Sequence, residues 1–180
     1  MKKVREDSIF YFAYGMNTNH RQMSMRCPKA IYHGKTTLDN FKFRFRGVAD
    51  IDKVKNSKVI GALWEITPEC EKALDGLEGF PTFYTKGYFN YMGFKVMYYI
   101  MTKTNKNELS YPSNFYLTCL EEGYRENRMD ISQLEQALID IPEDLMDDEY
   151  LYKNDEYISY YRPKPPKRYR ITKNGRIISY

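Results

Sequence analysis

Three short stretches carry residue types and spacings that could do chemistry. "YFAYGMN" (11–17) runs apolar and aromatic side chains straight into Tyr14-Gly15-Met16-Asn17. Glycine lets a backbone approach a ligand closely, and the first N–H groups of a helical turn lack intrahelical partners, so this turn could hold a ligand through its amides. It could equally be a plain strand-to-helix turn. "LDGLEGFPTFY" (74–84) sets Glu78 between Leu77 and Gly79, with Phe80, Phe83 and Tyr84 close by. Poor solvation pushes a carboxyl pKa upward, into the range where a general base works near neutral pH. The alternative is a solvated glutamate in a turn. Asp75 is the rival acid, and at a helix C-terminus it is expected to face water. "SYPSNFYLTCLEEGYREN" (110–127) places Tyr116 one turn into a helix. Its hydroxyl could reach a cleft or lie satisfied in the core.

Other chemistries find little support. His20 and His33 are the only histidines, with no metal-ligand spacing to each other or to a cysteine, so no metal is expected. Cys27, Cys70 and Cys119 are odd in number and far apart, which argues for free thiols in a reducing compartment, the cytoplasm. No apolar run approaches the ~18 residues that a membrane-spanning helix needs. The opening "MKKVREDSIF" is followed by no signal-peptide-like hydrophobic stretch.

The net charge of +4 hides a segregation. Residues 1–120 balance at +7, residues 121–156 at −10 and residues 157–180 at +7. A basic tail can contact nucleic acid, but here an acidic segment directly precedes it. The tail is therefore expected to dock on its own chain, and a nucleic-acid partner is not. Monomer and homodimer both remain open.

The elements that must position the three stretches follow from periodicity and punctuation. Tyrosine makes up 18 of 180 residues, so the core should lean on rings with polar tips, which also suit clefts. A strand is expected over Ile9–Tyr14, then a short helix in "TNHRQMSMRCP" closed before Pro28. "NFKFRFRG" alternates Phe41, Phe43 and Phe45 with basic residues and reads as a half-buried strand. "VADID" and "KVIGALWEI" read as two further strands around a turn-like "KVKNS". Thr67-Pro68 starts a helix that stops near Gly76. "FYTKGYFNY" and "FKVMYYIMT" read as a hairpin through Met92-Gly93, and Ser113 caps a further helix. A last helix in "DISQLEQALIDI" has Ser132 and Glu135 at capping-box spacing. "RPKPPK" is a stiff linker, and Asn174-Gly175 marks a hairpin between two β-prone runs. The order of elements is α+β, with one domain over residues 1–150 and a basic extension over 151–180.

"YFAYGMN", "GALWEIT", "LDGLEGFPTFY", "YYIMT" and "YREN", in this order, resemble the γ-glutamylcyclotransferase family, the AIG2-like proteins included. The resemblance runs from about residue 9 to residue 140. The family's Tyr-Gly-Ser-Asn turn is matched by Tyr14, Gly15 and Asn17, with Met16 departing from it. The resemblance implies a small mixed β-barrel with flanking helices and the C-terminal hairpin as an addition. It places the catalytic glutamate at Glu78, a substrate cradle at Tyr14, Gly15, Met16 and Asn17, and further substrate contacts at Tyr84 and Tyr116. The implied reaction uses no cofactor. A small γ-glutamyl compound cyclises on itself, releasing 5-oxoproline and an amine or amino acid, as in the metabolism of glutathione. Two alternatives stand beside it: a related enzyme acting on an unusual amide, and a non-catalytic protein that binds a partner through the same cleft or the basic tail.

Overall fold

The computed structural model describes residues 8–142, 169–171 and 177–179. The chain divides into two compact units, Met1–Pro142 and Glu143–Tyr180.

In the first unit β1 (Ile9–Ala13) is the middle strand of a five-stranded sheet in which residues 31–46 (β2), 48–66 (β3), 84–91 (β4) and 94–101 (β5) form the other strands, ordered β2-β3-β1-β5-β4. It pairs antiparallel with β3 (Val48–Ile66) and parallel with β5 (Phe94–Met101). A central strand is covered on both faces, which is why its sequence is an unbroken apolar run. Phe10, Phe12 and Tyr14 enter one core with Leu120, Tyr124 and Leu134, from α3 (Asn114–Glu126) and α4 (Ser132–Ile139). Tyr11 and Ala13 enter the other with Met23 of α1 (His20–Arg26) and Leu74 of α2 (Pro68–Leu77). Burying side chains such as Phe12 and Leu74 contributes about 1.5–3 kcal/mol each.

β2 (Ile31–Arg46) and β3 form one long hairpin. The turn expected at "KVKNS" is instead a bulge within a continuous β3. Asp39 pairs with Lys58 and Phe41 with Lys53, so Val54–Ser57 oppose Asn40 alone. Asn40 and Asn56 absorb the irregularity at positive φ, and the Asn56 amide donates to Asn40 Oδ1 at 3.2 Å. The polar turn residues were read correctly as a break in the strand pattern but not as one that keeps the chain's direction.

The expected barrel is not formed, because β2 and β4 (Tyr84–Tyr91) remain separate edges of an open sheet. The outer edge of β2 is occupied near Arg46 by Ser110, whose amide donates to Phe45 O at 3.1 Å and whose carbonyl accepts from Gly47 N at 3.2 Å. β4 is held along its whole length by β5 through the Met92-Gly93 turn. The helix at 132–139 also starts differently from the capping-box expectation. Ile131 is its N-cap without a side-chain bond, and Asp130 Oδ1 accepts from Ser132 N.

Among the described residues no helix is long and apolar enough to cross a membrane, and no cluster of three or more His, Cys, Asp or Glu side chains could hold a metal. The three cysteines are buried free thiols. In the second unit, β6 (Tyr169–Ile171) and β7 (Ile177–Ser179) pair antiparallel. The Asn174-Gly175 turn between them, the linker and the expected docking of the tail lie outside the described residues.

Candidate active site

Glu78 owes its position to the way α2 ends. Thr67 caps the start by accepting from Cys70 N, with Pro68 at the first helical position. At the other end Glu78 is the C-cap, Gly79 adopts φ of 61°, and Phe80 N reaches back to Asp75 O at 2.9 Å. This is a Schellman closure, which favours glycine because the left-handed region costs other residues energy. A Cβ on Gly79 would also lie 3.1 Å from Phe83 Cβ. The helix therefore stops where the Glu78 side chain enters a cavity of about 440 Å³.

All seven residues singled out in the sequence, namely Tyr14, Gly15, Met16, Asn17, Glu78, Tyr84 and Tyr116, line this cavity. Glu78 is half-buried, and Asn17 Nδ2 donates to its Oε1 at 3.2 Å. Burial pushes the carboxyl up to about 7, against the opposing pull of the Arg26 guanidinium and the Asn17 bond.

Asn17 is the hub. Its Nδ2 also donates to the Tyr11 hydroxyl at 2.9 Å, and its backbone carbonyl accepts from Trp64 Nε1 at 3.0 Å. Arg26 Nη1 donates to its Oδ1 at 2.6 Å. A guanidinium has donors only, so it turns the amide oxygen toward itself and the amide nitrogen toward Glu78. The turn itself is one 3-10 turn over Met16–Thr18, closed by Thr18 N donating to Gly15 O at 2.9 Å. The N–H groups before that first bond have no partner within the turn.

The tyrosines are set by the edge of β3. Tyr84 donates its hydroxyl to Ala49 O at 2.6 Å, and the Tyr116 hydroxyl accepts from Ala49 N at 3.0 Å. Tyr116 thus keeps its own proton to donate, whereas that of Tyr84 is committed. The Tyr14 hydroxyl is committed too, donating to Tyr99 O at 2.7 Å. Burial pushes the hydroxyls of Tyr11, Tyr14, Tyr84 and Tyr116 upward, so all four stay neutral at physiological pH. Gly15 leaves room for this arrangement, since a Cβ there would sit 3.1 Å from the Tyr116 hydroxyl and 3.2 Å from Ala49 Cβ.

Asp75 departs from expectation. It points to β4 and β5 rather than to open water, receiving Lys86 Nζ at 2.7 Å and the Tyr99 hydroxyl at 2.6 Å. Lys86 also meets Glu71 at 2.6 Å and lies over the Phe80 ring at 4.6 Å. The group ties the end of α2 to the sheet and so holds Glu78 in place. Tyr11, Arg26, Val48, Ala49 and Tyr99 also line the cavity and were not anticipated. Arg26 is a basic residue in the last turn of α1, which reads as helix-end electrostatics. Its nine-residue separation from Asn17 matches no motif.

The profile of the family described as gamma-glutamyl cyclotransferase, AIG2-like, matches residues 11–117. The chain belongs to this family. A gamma-glutamylcyclotransferase from Bos taurus is 28% identical over 85 residues, a match spanning 41% of this chain and 45% of that protein. Among solved structures, an uncharacterized protein from Homo sapiens superposes with a TM-score of 0.63 at 24% identity, covering 81% of this chain and 97% of the other. A structure described as a gamma-glutamyl cyclotransferase gives a TM-score of 0.63 at 22% identity, covering 83% and 99%. At these identities the superpositions establish the fold.

Proposed function

We propose that the chain is a cyclotransferase that closes a γ-glutamyl group on itself, releasing 5-oxoproline and an amine. The observation that carries this reading is Glu78, a half-buried carboxyl whose pKa is raised to about 7, held by Asn17 on the wall of a cavity of substrate size. Such a group is a carboxylate for part of the time at neutral pH and is basic enough to take a proton from an ammonium.

The substrate supplies its own nucleophile. Glu78 removes a proton from the α-ammonium, and the freed amine attacks the γ-carbonyl. The new C–N bond closes a five-membered ring. The oxyanion is met by backbone N–H groups of the Gly15–Asn17 turn and by the proton that Tyr116 keeps. Glu78 then returns its proton to the departing nitrogen as the old amide bond breaks. Two of the three ammonium protons end on the departing amine, one of them through Glu78, and no water or cofactor is consumed. Holding the two reacting groups together supplies about 7–11 kcal/mol of such a barrier, and general base catalysis adds on the order of 10²–10⁴-fold. Free buried cysteines suit a cytoplasmic setting.

The test is a screen for 5-oxoproline release from γ-glutamyl peptides and amines, run with the wild type and Glu78→Gln. The expected result is turnover that falls by about 10² or more in the variant, the general-base share, while fold and ligand binding survive. Variant turnover within about threefold of wild type, well short of that share, removes Glu78 from the role.

A further inference from the structure

Asp50 follows Ala49 in β3 and is completely buried, with 0% of its surface exposed. Its Oδ1 accepts from Met101 N at 3.1 Å, and its Oδ2 accepts from Arg46 Nη1 at 2.8 Å. Lys106 Nζ, just past the 3-10 turn Lys103–Asn105, lies 3.0 Å from the same Oδ2. All three partners are donors, so both oxygens of Asp50 are engaged as acceptors. A charge removed this completely from water is unfavourable unless donors surround it, and apolar replacement of such a group is often neutral or stabilising. Stability alone therefore does not account for Asp50.

Its contacts close a ring around the backbone of Ala49. The pairing of β1 with β3 ends at Ala13 and Ala62, so the edge of β3 at Ala49 is held by side chains instead of by a strand. Met101 ends β5 and faces Tyr84 across the β4–β5 pair. The Tyr84 hydroxyl returns to Ala49 O at 2.6 Å, while Asp50 returns to Met101 N. Ala49 is thus held at its carbonyl by Tyr84 and, through the side chain that follows it, by β5. Its N–H is left to donate to the Tyr116 hydroxyl at 3.0 Å.

Resting on the cyclotransferase reading, we infer that Asp50 is a positioning residue for the reaction. Anchored by Arg46, Lys106 and Met101 N, it fixes the Ala49 backbone, and the Ala49 N–H in turn fixes the Tyr116 hydroxyl toward the oxyanion. Asp50 needs no contact with substrate for this. Its effect passes through one hydrogen bond, at a place where a displacement of about 1 Å can cost on the order of 10²-fold in rate.

Asp50→Asn keeps the volume of the side chain but turns an N–H toward donors. Amide hydrogen exchange on the full chain reads the coupling directly. Exchange at Ala49 N is expected to quicken about tenfold or more relative to the amides of β1, whereas a loss of global stability alone quickens both alike. In 5-oxoproline release, kcat is expected to fall on the order of tenfold with KM within about twofold of wild type. Tyr116→Phe removes the oxyanion donor and should by itself cost about 10²-fold or more. Adding Asp50→Asn to it should cost less than about threefold further, because residues that act as one unit are not additive. Where Asp50→Asn fails to fold, Lys106→Gln takes one cation from the same oxygen and carries the same readouts in smaller measure. An Ala49 amide that quickens no more than β1, or losses that multiply in the double variant, overturns the inference, while 5-oxoproline release by the wild type keeps the cyclotransferase reading. Selective quickening at Ala49 in a chain that releases no 5-oxoproline supports the hold of Asp50 on Tyr116 and removes the cyclotransferase reading.

Discussion

At the scale of the residue, Glu78 makes two opposite demands on pH. In the proposed reaction turnover needs the carboxylate, so it is expected to rise with pH and level off above about 7. Stability runs the other way. The folded-state pKa lies above that of an unfolded glutamate, so the stability tied to this carboxyl is fully present below the ordinary carboxyl range and is lost as pH climbs through about 7. Glu78→Gln should therefore gain Tm over the wild type by on the order of a few °C at alkaline pH, a gain that vanishes near pH ~4. Calorimetry at the two pH values checks this, and equal differences at both would contradict it. Arg26 acts on the same equilibrium, its guanidinium pulling the Glu78 carboxyl down. In Arg26→Gln the rising limb of the pH–rate profile should move to higher pH, whereas Arg26→Lys, which keeps the charge, should leave it near the wild-type position. A limb unmoved in Arg26→Gln would show that Arg26 does not tune the base.

At the scale of the element, the site depends on how chain segments stop. The Schellman closure of α2 aims Glu78, and Gly79 is its conformational requirement. Gly79→Ala should cost about 1–2 kcal/mol in denaturant unfolding, the penalty of a side chain in the left-handed region, and the Phe83 contact adds to it. The 3-10 turn after β1 fails differently. Gly15 has an ordinary negative φ, so its glycine is required by space near Tyr116 and Ala49 rather than by conformation. Gly15→Val should accordingly weaken substrate binding far more than it lowers Tm, and equal binding by the two proteins would return this turn to a purely structural role. The helix starts at Thr67-Pro68 and Ser113 were legible because capping is local chemistry. The bulge at Val54–Ser57 was not, because the same polar residues serve a reversal or a bulge, and the partner strand decides between them.

At the scale of the whole molecule, every residue lining the cavity lies between Tyr11 and Tyr116. A chain ended at Glu156 should thus keep the proposed Glu78-dependent release of 5-oxoproline, and loss of that activity on truncation would tie the basic extension to catalysis. The barrel expectation failed at this same scale. Strand number and alternation can be read from local pattern, but closure depends on what reaches each edge, and here Ser110 occupies that of β2. By itself the sequence determined the α+β class, the apolar first strand and most helix boundaries, because residue types and local spacing carry that information; seven of the residues that line the cavity came from the resemblance of its motifs to the family. Tertiary structure alone decided that Arg26 orients Asn17, that Ala49 binds the hydroxyls of both Tyr84 and Tyr116, and that Asp75 belongs to Lys86 and Tyr99. Each of these is a contact between side chains or peptides on different elements, and hydrogen bonds are set by distance in space rather than by separation along the chain.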